Sequence, residues 1–208
     1  MQKIFNYFSP TNQPTHPSKQ MDLVLFIKVR YHEVPKLIEK RGKNMGKNNG
    51  YFEELKKYFF EQMGPTDQPT FDNPTLQSFA DFYTQKRMLY AYNCDNPKMS
   101  DADGMICECF LAGKLTRILL EHSDPNDIHY ITRIEDILNM NMGHDMDELL
   151  QTTMSALSVG GYEELIEKQK VLLRPCLTHQ LDISKNSVQT VLTILYTTFL
   201  MGAAVELR

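Results

Sequence analysis

The 208 residues contain no tryptophan and only four cysteines, Cys94, Cys107, Cys109 and Cys176. So few thiols in so long a chain exclude a disulfide-built scaffold. Free thiols and a polar opening of twenty residues, without the apolar run of a secretory signal, point to a reducing, cytoplasmic compartment. Also missing are the nucleophile elbow, the HExxH zinc helix, the EF-hand loop and paired Glu-x-x-His sets. Each of those would bring a definite chemistry. Cys107-Glu108-Cys109 leaves one residue between its thiols, too few for a zinc knuckle. In a helix, such positions point apart. No cofactor is expected.

What is present is an ordinary globular mixture, 42% hydrophobic and 23% charged. The net charge of −4 does not favour wholesale nucleic-acid binding, but the charge is uneven. Residues 1–94 hold 13 Lys and Arg against 9 Asp and Glu, whereas residues 95–150 hold 4 against 12. A basic first half and an acidic middle can fold against each other or mate with a second copy.

Residues 9–20, SPTNQPTHPSKQ, have three prolines and no large apolar side chain, which predicts an extended or flexible arm over residues 1–20. The run 21–34, MDLVLFIKVRYHEV, reads as helix or strand; helix is favoured because no second convincing strand exists to pair with it. RGKNMGKNNG, residues 41–50, reads as a basic loop.

Beyond it the signals are helical. Phe52, Leu55, Phe59 and Met63 share one face over residues 51–63. A proline-rich connector, residues 64–74, is a candidate internal boundary. Asn73-Pro74 is an N-cap followed by proline at the first helical position, opening a helix to about Tyr92. Ser100 with Asp103 resembles a capping box for a helix to about His122. Asp124-Pro125 is expected to open another, with Ile128, Ile131, Ile134, Ile137 and Leu138 on its apolar stripe. Asp145 with Glu148 opens the next, closed by Gly160-Gly161. Tyr162 to Leu173 is amphipathic and expected to stop at Pro175. Ser184 or Asn186 caps a last helix reaching about Leu207. The fold class is therefore all-α: seven or eight helices in a single domain, residues 21–208, behind the N-terminal arm.

Residues 187–205 form an uncharged stretch of 19 residues, close to the roughly 20 that cross a bilayer. Gln189, Tyr196 and four threonines dilute it, and Val188, Val191, Leu192, Leu195 and Phe199 fall on one stripe. The expectation is a helix central to the bundle or to a subunit interface, with no membrane partner.

Several short patterns carry possible chemistry. The loop Gly42-Lys43-Asn44-Met45-Gly46-Lys47-Asn48 lacks the spacing and the hydroxyl of a phosphate-binding P-loop. Lys43 and Lys47 are instead candidates for touching phosphate or an acidic partner, and through this loop 41–50 nucleic acid is an unfavoured but open partner. Arg117 and His122 make R-x4-H within the helix that ends at about His122, which resembles the motif of HEPN ribonucleases. The resemblance implies that His moves a proton while Arg stabilises charge on an RNA phosphate, with two protomers sharing the site. Ile118 stands where that family usually has a polar residue.

His144-Asp145 resembles the doublet of HD phosphohydrolases. That resemblance implies a metal site completed by His122 or His129 and by Asp182. Ile4, Tyr7 and Phe8 resemble a sliding-clamp-binding peptide, with Met1 in the place of its Gln, which implies a tethered replication accessory. Read from the residues alone, Ile4, Phe5, Tyr7 and Phe8 are a hydrophobic anchor for this protein, a neighbouring subunit or another partner. The reading as a whole is a non-catalytic helical subunit engaged in protein contact, with homo-oligomerisation expected; a nuclease is the alternative.

Overall fold

The computed structural model describes residue 50 and residues 52–64, 68–94, 101–143, 146–157, 162–178 and 188–206. Among them are eight helices and no strand, as the hydrophobic periodicity implies. α1 covers residues 52–63. α2 is Gln68–Phe71, α3 Pro74–Asn93, α4 Ala102–His122, α5 Tyr130–Met140, α6 Met146–Leu157, α7 Tyr162–Thr178 and α8 Val188–Ala204. All described residues belong to one compact unit within Lys47–Arg208. The expectations for the arm 1–20, for 21–34 and for most of 41–50 lie outside the described residues. So do the proposed caps at Ser100, Asp145, Ser184 and Asn186.

Local chemistry sets the helix ends. The Asn73 side chain accepts from the backbone N–H groups of Thr75 and Leu76 at 2.9 and 3.2 Å, with Pro74 at the first helical position. That satisfies two of the donors every helix N-terminus leaves open. At α4 the cap is Asp101, whose carboxylate accepts from Gly104 N–H at 3.3 Å.

α4 is the centre of the bundle. It packs on α8 over its middle and is flanked by α3, α5, α6 and α7. From Met105 to Thr116 every residue except Cys107 is buried. A helix enclosed on all sides needs apolar residues all round, and ICECFLAGKL largely supplies them. α8 is its main neighbour, with Val191, Ile194, Leu195 and the whole run Thr197–Ala204 buried. Three of the four threonines that dilute α8 satisfy their hydroxyls within the helix: Thr193 donates to the Gln189 carbonyl, Thr197 to Thr193 and Thr198 to Leu195. Among the described residues no helix is long and apolar enough to cross a membrane.

Two glycines allow α4 and α8 to touch backbone to backbone. A methyl group on Gly113 would fall onto the Phe199 carbonyl, and one on Gly202 onto the Phe110 carbonyl. Both glycines end the same four-residue pattern, Phe110-Leu111-Ala112-Gly113 on α4 and Phe199-Leu200-Met201-Gly202 on α8.

α1 and α2 close one end with an aromatic cluster. Phe71, at the end of α2, has its ring centroid 5.3 Å from Phe59 and 5.4 Å from Phe60. The connector 64–74 therefore contributes a fully buried side chain where only a linker is expected. Lys56 bonds Asp72 at 2.6 Å and lies over the Phe71 ring, tying α1 to the residues that follow α2.

Two helices depart from expectation. α5 begins at Tyr130, not at Asp124-Pro125, because the aspartates bond the local backbone instead of yielding it to a helix. The Asp124 carboxylate accepts from Asn126 N–H at 2.8 Å and that of Asp127 accepts from His129 N–H at 3.0 Å, while Arg133 pairs with Asp127 at 2.7 Å. Ile128 thus leaves the stripe and is 86% exposed, whereas Ile134 and Leu138 are buried. α7 runs through Pro175 to Thr178. Proline donates no N–H, so the Val171 carbonyl one turn earlier lacks its helical donor. The Tyr58 hydroxyl of α1 donates to that carbonyl instead, at 3.0 Å.

Candidate functional site

The most chemically distinctive place in the fold is a charged cluster inside it. Tyr83 and Arg87 lie one turn apart on the buried face of α3, and Glu108 lies in the enclosed first half of α4. The Tyr83 hydroxyl donates to Glu108 Oε1 at 2.7 Å, Arg87 Nε donates to Glu108 Oε2 at 2.7 Å, and the Gly143 N–H donates to Oε1 at 3.1 Å. Arg87 is 2% exposed and Glu108 3%. One carboxylate thereby joins α3, α4 and the turn after α5.

That turn needs glycine. Gly143 has φ +74°, and a side chain there would strike the Tyr90 ring. Tyr90 also stacks near Arg87, whose guanidinium carbon is 5.7 Å from the ring centroid. Burial first, and the Glu108 charge next, push the Tyr83 phenol well above its ordinary pKa, so it serves as a donor. Arg87 Nη1 is buried without a partner among the described residues.

The cluster is suited to holding three segments in register. An ion pair removed from water costs desolvation that only good geometry and added hydrogen bonds offset; Glu108 has both. Sequence reasoning passed over it. The available signal was an acidic residue inside the apolar run Ile106–Leu111 together with an arginine on the apolar face of α3.

A second set of cations gathers at the end of α8. Lys114 donates to the Val205 carbonyl, Arg117 Nη1 to the Ala203 carbonyl at 3.1 Å, and Lys168 of α7 to the Glu206 carbonyl at 2.6 Å. A helix C-terminus presents unsatisfied carbonyls and the negative end of the dipole, and three cations from two other helices meet them. Arg117 also bonds Glu121 through Nε at 2.7 Å.

The residues singled out from sequence are distributed as follows. Arg117 points its guanidinium at α8 and Glu121, as above. His122, in the last turn of α4, is exposed, and no hydrogen bond joins it to Arg117. His129 is exposed at the start of α5. Ile4, Phe5, Tyr7, Phe8, Lys43, Lys47, His144, Asp145 and Asp182 lie outside the described residues. Among the described residues no three His, Cys, Asp or Glu side chains gather as a metal site would.

All four cysteines are free thiols. Burial pushes Cys107 up to about 11 and Cys176 up to about 12, and Cys109 upward as well. These three are protonated and unreactive at neutral pH.

A scan against protein-family models, a search of curated proteins and a search of solved structures each give no match to this chain.

Proposed function

We propose that this chain is a non-catalytic helical subunit whose role is protein contact, as an adaptor or component of an assembly, with itself or with another protein. The observation that supports this reading best is Ile128. It is 86% exposed on a turn held by side-chain hydrogen bonds and the Arg133–Asp127 pair. Moving a large aliphatic side chain from water into a partner is worth roughly 1.5–3 kcal/mol, and a turn already fixed loses little further freedom on docking.

The use of the charged side chains agrees with this reading. Glu108 and Arg87 bond each other across helices, and Lys114, Arg117 and Lys168 bond backbone carbonyls at the end of α8. These contacts hold the fold.

The test is the molar mass of the full chain by light scattering over a wide concentration range, compared with Ile128→Asp. A contact subunit that associates with itself shows mass above the monomer, and the substitution lowers it without changing helicity. Mass unchanged by the substitution removes Ile128 from the contact.

A further inference from the structure

The Tyr58–Val171 hydrogen bond joins two facts that a proline inside a helix normally sets against each other. Pro175 cannot donate to the Val171 carbonyl, and its ring crowds that same carbonyl, so a helix at this point kinks or ends. α7 nevertheless continues to Thr178, with Leu172, Leu173 and Cys176 buried beneath it and Val171 on its outer side. The donor comes from a different helix, 113 residues earlier in the chain.

We propose that Tyr58 is the fastener of a hinge in α7: its hydroxyl takes the place of the missing proline N–H and sets the course of the last turn, residues 175–178, so that releasing α1 at this point loosens that turn. The inference is independent of the contact reading above, since it concerns only how α1 and α7 are coupled.

The claim is specific because Tyr58 and Pro175 are then coupled through a carbonyl that belongs to neither. Backbone amide exchange measures it residue by residue in the full chain. In Tyr58→Phe, which keeps the ring and removes the donor, the amides of Cys176, Leu177 and Thr178 should exchange about three- to tenfold faster, the range expected for one hydrogen bond. Amides in the middle of α4 and α8 should keep their wild-type rates. Pro175→Ala restores an N–H to the Val171 carbonyl; in that background Tyr58→Phe should leave the 176–178 amides unchanged.

Three results overturn the proposal: no change in Tyr58→Phe, an increase of the same size in both backgrounds, or an increase spread through α4 and α8 as in general destabilisation.

Discussion

Gly113 and Gly202 occupy matching places in a reciprocal crossing: each faces the carbonyl of the phenylalanine that opens the other's four-residue pattern. Neither has room for a methyl group, so α4 and α8 meet backbone to backbone at this crossing. The prediction is that Gly113→Ala and Gly202→Ala each cost about 2 kcal/mol or more in urea denaturation, the upper part of the range for overpacking. Gly104→Ala is the control. A methyl group there meets only Asp101, at 3.4 Å and beyond, and stability should hold or rise by up to about 1 kcal/mol, the gain of replacing glycine in a helix.

Glu108 accepts three hydrogen bonds inside the protein, so removing it strands Arg87 and Tyr83 together. Glu108→Ala should cost about 3–5 kcal/mol. Replacing Arg87 and Glu108 together by methionine should cost less than either single truncation, since no lone charge is left inside. Equilibrium unfolding of the singles and the double variant measures this. Additive losses would mean that the pair is not coupled as the geometry states.

At the end of α8, Arg117→Ala should lower stability by about 1 kcal/mol, the worth of a charge-assisted capping contact. His122→Ala, exposed and outside that contact, should lie within about 0.5 kcal/mol of wild type. RNA cleavage by the purified protein that either substitution abolishes without unfolding would favour the nuclease alternative.

The thiols give the pH dependence. Cys107 and Cys176 are raised to about 11 and about 12 from an ordinary value of 9. Well below pH 9 both are protonated in the folded and unfolded chains and stability does not depend on them. Between pH 9 and about 12 the unfolded chain loses these protons first, so it binds fewer than the folded chain and stability falls as pH rises. Urea midpoints should therefore decline above pH 9, with a shallower slope in Cys176→Ala. A slope unaffected by the substitution would contradict the burial of this thiol.

The two isoleucines of the α5 region separate packing from exposure. Ile134→Asp should unfold the domain or cost several kcal/mol, because it places a charge in the core. Ile128→Asp should be neutral for folding. Circular dichroism and urea melts of both variants decide it.

The helices were legible where cap chemistry marks an end, as at Asn73-Pro74, whose side chain and proline open α3. What was not legible has a common physical origin. At Asp124 and Asp127 the side chains compete with the helix for backbone donors, and periodicity alone does not weigh that competition. At Pro175 the helix continues because a hydroxyl more than a hundred residues away supplies a donor, which no local reading contains. Glu108 and Lys114 are residue types that normally face water, yet the enclosure of α4 buries both. Arg117 is visible as a motif residue, while its partner carbonyl depends on where α8 ends. The charged cluster itself was missed because its members come from three segments.

The central proposal, that this chain is a subunit that associates with copies of itself, is tested most directly by light scattering on the full chain and on a chain lacking residues 1–20. The account predicts an assembled species for the full chain and a smaller, still helical species for the shortened one. A monomer at every concentration, with the same mass per chain whether or not residues 1–20 are present, would contradict it.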